Sequence, residues 1–370
     1  MSIRALLATT ATALVVVLVV FVVLSGGTHV QHSPSNHAAR PTHQTRPASV
    51  KPAPRLYWGA AIQTGQGEAP WQMSVVRRFS ALLGGKRLSV INWGSQFYSR
   101  PYCSGWCAFQ TPQFQTVRNY GAIPMISWEP NWKPQIDREI ASGAYDSYLT
   151  RWARAAKAWG HPFFLRFAWE PNGSWFPWSV GGRRGVSTEG NTPSTYVAMW
   201  RHVYDVFRRV GADNATWVWC PNVDAPTTYK PLANLFPGNA YVNWTCMDGY
   251  NGDNPWLSFR TLFGATYRQI RRLAPHKPMI IGEISSTEQG GSKAAWISNM
   301  FRVLPSTFPD IHGLVWYEVD SSGPGGHSDW RIESSKSAVG AFTRGISSAA
   351  FAGNHYSSLG SGPVPVPGRG

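Results

Sequence analysis

The sequence contains the tetrapeptide WEPN twice, and each copy places a glutamate directly after an apolar run. The first copy, ISWEPNW, contains Glu129, and the second copy, FAWEPNGSW, contains Glu170. A third glutamate, Glu283, follows the apolar run PMIIG. Burying a carboxyl group at the end of an apolar segment is costly unless the group is paired or has a function. These carboxyl groups are therefore the first candidates for chemistry.

Two carboxyl groups acting together could hydrolyse a glycosidic bond. In the retaining mechanism, one carboxyl protonates the leaving oxygen and the other attacks the anomeric carbon, with the two groups about 5–5.5 Å apart. The chain also contains 19 tryptophans, and indole rings that the core does not use can pack on the C–H faces of sugars. The residue types therefore favour a carbohydrate-active site, in which we expect Glu170 and Glu283 to be the working pair.

The elements that must position these carboxyls begin at residue 56, where short β-rich segments start to alternate with helical patterns. The β-rich segments are LYWGAAI (56–62), RLSVINWG (87–94), AIPMISWE (122–129), PFFLRFAWE (162–170), ATWVWCPN (215–222), YVNWTCMDGY (241–250), PMIIGEIS (278–285) and IHGLVWYEV (311–319). Between them, apolar residues repeat at the helical spacing over 144–160, 193–211 and 256–274. This alternation predicts a (β/α)8 TIM barrel. A doubly wound sheet is the alternative, but the sequence lacks the G-x-G-x-x-G turn typical of that fold.

Catalytic residues of such a barrel lie at the carboxyl ends of its strands. Several predicted strands end in a polar or acidic residue: Glu129, Glu170, Asn222, Asp248, Glu283 and Glu318. On the fourth predicted strand, the two-residue alternation puts Arg166 and Glu170 on one side, whereas the other side is wholly apolar. We therefore expect Glu170 to point into the mouth of the barrel above Arg166. Asp248 is interpreted as a ligand of sugar hydroxyls and Glu129 as part of the cleft wall, and no role is assigned to Glu318.

Three segments resemble the signature regions of glycoside hydrolase family 26. They are RFAWEPNGSWFPW (166–178), VNWTCMDGYNGD (242–253) and KPMIIGEISS (277–286). The most specific of the motifs is R-x-x-x-E-x-N-G-x-W-x-x-W in the first segment. The family contains mainly endo-β-1,4-mannanases and belongs to the clan of retaining (β/α)8 hydrolases, and the resemblance extends over about residues 56–345.

The resemblance implies a role for each matching residue. Glu170 would be the acid/base, Glu283 the nucleophile, and Tyr250 a hydrogen-bond donor to the nucleophile. Mannanases of the family usually have a histidine directly before the acid/base, in a position that contacts the sugar near the cleaved bond, and here that residue is Trp169. The main activity of the family makes β-1,4-mannan the first expectation for the substrate, whereas Trp169 keeps mixed-linkage β-1,3-1,4-glucan and β-xylan open as alternatives.

Aromatic residues are expected to bind the sugar chain. By resemblance, Trp316 would be the platform under the sugar at the cleavage point, and Trp175 would stack in the cleft after the fourth strand. Arg166 would be the buried arginine of that strand. Further candidates for stacking lie in or near the loops at the strand ends: Trp128, Trp132, Trp178 and Trp256. Neither a metal ion nor a cofactor is required by this chemistry. A non-catalytic glycan-binding module is the alternative from another class, but it would not need both glutamates.

The two ends of the chain differ in composition from the predicted domain at 56–346. Residues 1–27 are interpreted as a signal peptide or signal-anchor, because Arg4 precedes an apolar stretch over 5–24, about the length that spans a bilayer. Residues 28–55 form a linker rich in Pro, His, Ser and Thr, and residues 347–370 are predicted to be a flexible tail. We therefore expect a monomer that is secreted, or anchored to the membrane and exposed outside the cytoplasm.

Charge and cysteines fit this location. The formal net charge is +15, but the sequence has no Lys/Arg run and no nucleic-acid motif, so nucleic acid is not an expected partner. An exported chain can oxidise its cysteines, and we predict the disulfides Cys103–Cys107, within CSGWC, and Cys220–Cys246, on neighbouring strands. A zinc site is the alternative, but no C-x-x-C pair is present.

Overall fold

The core of the protein is a closed barrel of eight parallel strands. The computed structural model describes residues 55–63, 68–131, 133–181, 190–252, 255–322 and 328–368. The barrel strands are β1 (Tyr57–Gln63), β2 (Val90–Gln96), β5 (Ile123–Glu129), β6 (Phe163–Phe167), β7 (Ala215–Trp219), β8 (Trp244–Asn251), β9 (Met279–Ser286) and β10 (Ile311–Val319). Each predicted strand segment overlaps one of these strands, with ends that differ by a few residues, so the prediction of a (β/α)8 barrel is confirmed and the doubly wound sheet was wrong. Outside the barrel, β3 (Tyr98–Ser99) and β4 (Gly105–Trp106) form a short antiparallel pair.

Helices cover the outer face of the barrel. They are α1 (Met73–Leu82), α2 (Arg100–Cys103), α3 (Thr111–Tyr120), α4 (Ile136–Ala141), α5 (Asp146–Trp159), α6 (Pro193–Val210), α7 (Phe259–Leu273), α8 (Lys293–Thr307) and α9 (Lys336–Ile346). Short 3₁₀ helices span Leu232–Leu235, Asn239–Tyr241 and Ile332–Ser334. The longest described helix, α6, has clear start and stop signals: Thr192 and Thr195 form a capping box at its start, and Gly211 ends it with φ 74°.

Aromatic side chains fill the layer between the strands and the helices. Trp128 of β5 stacks on Trp152 of α5 with ring centroids 4.4 Å apart, and Phe207 of α6 packs against both rings. Every residue of β6 is buried, because its outer side chains meet the helices and its inner side chains fill the barrel. Much of the tryptophan content is therefore core, which leaves fewer indole rings for sugar binding.

The predicted flexible tail is packed against the barrel over its described part, residues 347–368. Phe351 and Val364 are buried. The backbone N–H of Val364 donates to Thr216 Oγ1 at 2.7 Å, and its carbonyl accepts from Trp244 Nε1 at 3.0 Å. Tyr57 also donates its hydroxyl hydrogen to the carbonyl of Pro365 at 2.8 Å. The prediction was wrong because these partners lie at the first residues of strands, where the open end of the barrel needs an apolar cover.

Both predicted disulfides are present. Cys103–Cys107 closes a short loop that contains β4, with a Cα separation of 5.1 Å. Cys220–Cys246 joins the end of β7 to β8, with a Cα separation of 4.2 Å. The predicted signal or anchor (1–27) lies outside the described residues, as does the linker (28–55) except for Arg55. Within the described part of the chain, no helix combines the length and apolar character needed to cross a bilayer.

The packed tail predicts a loss of stability when its main apolar contact is removed. We expect Phe351→Ala to lower the free energy of unfolding by about 3 kcal/mol, because it leaves a cavity against Phe301 and the barrel base. Urea unfolding of the variant and of Ser357→Ala, an exposed change in the same segment, would measure this difference. Equal stability of the two variants would contradict a structural role for the tail.

Candidate active site

Glu170 and Glu283 lie together in an open cleft at the carboxyl ends of the barrel strands. The cleft has a volume of about 640 Å³. One carboxylate oxygen of Glu170, one of Glu283 and one of Asp248 lie within 4.8 Å of one another. Glu170 is 4% exposed and Glu283 is 9% exposed, so both carboxyls are largely shielded from water. The barrel thus brings together the two glutamates that the sequence singles out.

The backbone around Glu170 turns away from the strand. β6 ends at Phe167, and both Ala168 and Glu170 have left-handed φ angles, 43° and 51°. Such angles are costly for residues with a Cβ atom and are often found where the chain must aim a functional side chain. The N–H of Glu170 donates to the carbonyl of Cys220 at 2.6 Å, which fixes the turn. Glu170 therefore reaches the cleft through this turn and not, as predicted, by simple alternation along an extended strand.

Two neutral donors hold the carboxyl of Glu170. Asn222 Nδ2 donates to Oε1 at 2.7 Å, and Trp175 Nε1 donates to Oε2 at 2.5 Å. Burial raises the pKa of Glu170 to about 7, and the negative charge of Glu283 adds to this shift, whereas Arg166 and the two donors oppose it. The carboxyl can therefore carry a proton near neutral pH, as a general acid must.

The environment of Glu283 is different, because a positive charge lies beside it. Arg166 Nη1 donates to Glu283 Oε1 at 2.6 Å, and Tyr250 donates its hydroxyl hydrogen to Oε2. The same guanidinium binds Asp248 and donates to Ser127 Oγ at 3.0 Å. Glu283 is therefore held by a cation and by a hydroxyl donor, one on each carboxylate oxygen. Tyr250 thus lies where the resemblance places it, as a donor to Glu283.

Arg166 and Asp248 lie beneath the cleft and not on its surface. Both side chains are completely buried. Arg166 is therefore the buried strand arginine that the sequence predicts. The interpretation of Asp248 as a ligand of sugar hydroxyls was wrong, because the charge of Arg166 draws its carboxylate into the barrel interior. Gly282 makes this possible, since a Cβ atom there would collide with Cys246, Asp248 and Arg166.

Two of the predicted tryptophans line the cleft. Trp175 is 47% exposed, so one side of its indole is open to a ligand while Nε1 binds Glu170. Trp169 also lines the cleft, and the guanidinium of Arg166 lies 5.0 Å from its ring centroid. The indole in the position usually occupied by histidine therefore contacts both the cleft and the buried arginine.

Three other predicted stacking residues have side chains that point into the core. Two of them lie on strands, on the side that faces the helices, and the third packs within a loop. Trp128 stacks on Trp152. Trp178 donates Nε1 to the carbonyl of Trp169 at 2.7 Å and is fully buried. Trp316 is also fully buried and packs on Phe342 of α9, so it cannot be the sugar platform.

The remaining two candidates give no cleft contact among the described residues. Trp256 is half-buried and packs beside Gly291, and it is not among the described residues that line the cleft. Trp132 lies outside the described residues.

Other aromatic residues occupy the cleft wall in their place. Tyr317, the neighbour of Trp316 on β10, points into the cleft, and Trp330 and Phe176 come from loops. The sequence signal for Tyr317 was present, since alternate residues of one strand face opposite sides, but the sequence does not say which side is inner. For Trp330 and Phe176, no sequence pattern beyond the residue type indicates a position in the cleft, because both lie in loops.

The first WEPN glutamate also lies in the cleft, as predicted. Glu129 lines the same cavity as Glu170 and Glu283. Burial raises its pKa to about 7 and the charge of Glu283 adds to this shift, whereas a hydrogen bond with Gln96 opposes it. Glu318 has a structural role instead, because its buried carboxylate accepts the N–H of Ile332 at 2.9 Å and holds the 3₁₀ helix Ile332–Ser334.

Comparison with known sequences identifies relatives. The family model described as "Glycosyl hydrolase family 26" matches residues 109–286, which include Arg166, Glu170, Tyr250 and Glu283. Endoglucanase H of Acetivibrio thermocellus is 35% identical over 301 residues, or 78% of this chain. The chain spans about 30% of the length of that relative.

Solved structures share the fold. The catalytic domain of a family 26 endo-β-1,4-mannanase from Bacillus sp. JAMB-750 superposes with a TM-score of 0.62 at 15% identity, covering 82% of this chain and 88% of that one. A double mutant of the Cellulomonas fimi endo-β-1,4-mannanase gives a TM-score of 0.59 at 16% identity, covering 84% and 76%. The matched family model, the relative at 35% identity and the shared barrel lead to one conclusion: the chain belongs to glycosyl hydrolase family 26.

Proposed function

We propose that the protein is a retaining, endo-acting glycoside hydrolase that cleaves a β-linked polysaccharide. The observation that carries this proposal is the pair of carboxyls in the cleft, one held by neutral donors and the other beside a guanidinium. Retaining enzymes place these groups about 5–5.5 Å apart, whereas inverting enzymes leave roughly 6.5–9.5 Å for a water molecule. The close approach of the Glu170 and Glu283 oxygens, within 4.8 Å, supports the retaining course.

In the proposed mechanism, the two glutamates act in sequence. Protonated Glu170 donates its proton to the glycosidic oxygen while ionised Glu283 attacks the anomeric carbon, and a covalent glycosyl-enzyme forms as the leaving sugar departs. Glu170, now a carboxylate, removes a proton from water, and the water displaces Glu283 with net retention. Tyr250 and Arg166 hold the carboxylate of Glu283 in position throughout. The residues in the cleft suffice for this reaction.

The substrate class follows from the cleft lining and from the relatives. Trp169, Trp175, Phe176, Tyr317 and Trp330 offer ring faces to sugars along an open cleft, which supports internal cleavage of a long chain. β-1,4-Mannan is the first candidate, because the superposed barrels are named as endo-β-1,4-mannanases. Mixed-linkage β-1,3-1,4-glucan is the second candidate, favoured by the relative named endoglucanase H and by the indole of Trp169. β-Xylan remains the third.

A location outside the cytoplasm is part of the same proposal. Residues 1–27 would export the chain or anchor it in the membrane, and the disulfides Cys103–Cys107 and Cys220–Cys246 are typical of an oxidising compartment. A polysaccharide too large to enter the cell would be met there. The catalytic domain would act as a monomer.

The substrate and the activity can be tested together. We expect the purified protein to release reducing ends from one member of a panel of β-mannan, mixed-linkage β-glucan and β-xylan, with retained anomeric configuration in the first product seen by NMR. Binding to a polysaccharide without any release of reducing ends would overturn the hydrolase and leave a glycan-binding module.

The assignment of the two glutamates predicts different outcomes for their variants. Glu283→Ala should lower kcat by about 10⁴-fold or more, because no covalent intermediate can form. Azide should restore turnover of an activated aryl glycoside in both variants, giving a glycosyl azide of inverted configuration with Glu283→Ala and of retained configuration with Glu170→Ala. Glu333→Ala, an exposed change, serves as the control. Near-normal activity of Glu283→Ala would refute the assignment.

The hydrogen bond from Trp175 predicts a shift in the pH profile. Its indole N–H stabilises the charged form of Glu170 and so lowers the pKa of that carboxyl. Trp175→Phe should therefore raise the pKa of Glu170, and the alkaline limb of kcat/KM should move to higher pH by up to about one unit. Trp106→Phe, another partly exposed indole on the surface, is the matched control. An alkaline limb that does not move in Trp175→Phe would show that Glu170 is not the general acid.

A further inference from the structure

We propose that the amino-terminal end of the barrel is a docking surface for an anionic phospholipid bilayer. The proposal goes beyond the hydrolase activity and rests on the proposed location outside the cytoplasm. It concerns the base of the barrel, defined as Arg55, the loops that lead into the strands, the last turns of the helices before them, and the last turn of α9. These loops span residues 83–89, 121–122, 160–162, 211–214, 242–243, 274–278 and 308–310, all within the described part of the chain.

Basic residues dominate this base. Besides Arg55, which precedes β1, the loops contribute Lys86, Arg87, His161, His276 and Lys277. The last turns of the helices add Arg118, Lys157, Arg208, Arg209, Arg271, Arg272 and Arg344. In those loops, the acidic residues are Asp213 and Asp310. The base therefore holds a large share of the net positive charge of the domain.

The two acids of the base are already paired. Asp213 binds Arg208 at 2.8 Å, and Asp310 binds Arg271 at 2.7 Å. Arg55, Arg87 and Arg272 are exposed, and their charges are not used by these pairs. An uncompensated cluster of cations on a surface attracts polyanions and concentrates them near it.

Some of these basic residues line a groove within the base. It has a volume of about 710 Å³ and is lined by Arg55, Arg271, His276, Lys277 and His312. Its remaining walls are largely apolar, with several prolines, and Asp310 is the acid among the lining residues. Cationic side chains around an apolar floor suit a phosphodiester head group and the glycerol carbons beneath it.

The opposite end of the domain lacks this excess of cations. The cleft contains Glu129, Glu170 and Glu283. Acids that follow the carboxyl ends of the strands are balanced by basic residues: Glu139 pairs with Lys133, Asp224 with Lys230, and Asp320 and Asp329 with Arg331. An anionic surface would therefore attract the base in preference to the cleft end, which would leave the cleft open toward the polysaccharide.

The entry point of the chain favours a bilayer over a soluble polyanion. Arg55 lies at the base, and 30 residues, 25–54, separate it from the apolar stretch at 5–24. A segment of that length reaches at most about 100 Å even when fully extended. If the apolar stretch lies in a membrane, the base is the end of the barrel to which the tether is attached.

The test measures how close the base lies to a membrane. The full chain receives a fluorophore on Ser347→Cys, an exposed position at the end of α9, and energy transfer to a head-group acceptor is recorded. Vesicles of phosphatidylcholine are compared with vesicles containing about one third phosphatidylglycerol. We expect at least twofold higher transfer with the anionic lipid, and the difference should disappear in 1 M NaCl because the attraction is screened. The apolar stretch is common to both conditions, so its insertion cannot produce the difference.

Two variants with equal changes in net charge decide whether the base is responsible. The base variant combines Arg55→Glu, Arg87→Glu, Arg272→Glu and Lys277→Glu. The control variant combines Arg77→Glu, Arg151→Glu, Arg268→Glu and Arg302→Glu, which lie on exposed faces of α1, α5, α7 and α8. The base variant should lose the dependence on anionic lipid, since each Lys or Arg near a membrane contributes roughly fivefold in binding. The control variant should retain it.

The proposal is overturned if transfer does not depend on phosphatidylglycerol, or if both variants lose the dependence equally. Binding to soluble polyphosphate without any approach to the vesicles would also overturn it, in favour of a free polyanion. Activity on a soluble polysaccharide should be unchanged in both variants. That readout shows that the variants are folded, and it separates a failure of the docking proposal from a failure of the proposed hydrolase.

Discussion

The buried guanidinium of Arg166 is the interaction on which the rest of the site depends. It lies inside the barrel between Asp248 and Glu283 and also contacts Ser127. Burial and the neighbouring negative charges raise the pKa of Asp248 and of Glu170, and the charge of Arg166 opposes both shifts. Arg166 contacts Asp248 and Glu283 directly, whereas Glu170 is held by Asn222 and Trp175. Removing one partner of such a buried cluster typically costs about 3–5 kcal/mol, so the arginine serves the fold as well as the chemistry.

The carboxyl end of the barrel holds the candidate active site, whereas the amino end stabilises the fold. At the carboxyl end, left-handed residues, buried charge and an open cleft all cost stability, which is typical of active sites. At the amino end, Tyr57, Thr216 and Trp244 make hydrogen bonds to the tail, and Phe351 and Val364 cover the apolar interior. The stability gained from packing at the amino end offsets the stability lost at the carboxyl end. Other barrels of this type also rely on the amino end for stability.

Much of the fold and part of the site could be predicted from the sequence, and the physical reasons are specific. The β-rich runs are long and regularly spaced, so the strands and the neighbouring pair Glu170 and Glu283 followed from one pattern. The sequence did not reveal that the side chains of Trp128 and Trp316 point into the core. Alternation defines two sides of a strand without saying which side faces the inside of the barrel. The left-handed angles at Ala168 and Glu170 depend on the loop that follows β6, which no local pattern encodes. Asp248 was misread because its partner, Arg166, comes from another strand.

The tail also carries a consequence for how the protein folds. Its prolines and glycines resemble a disordered end, yet Pro365 bonds to the first residue of β1 and Val364 to the starts of β7 and β8. The contact between Tyr57 and Pro365 joins positions 308 residues apart in the sequence. Contacts of such long range slow folding, because a large loop must close before they can form. The barrel therefore reaches its final packing late, when the two ends of the domain have met.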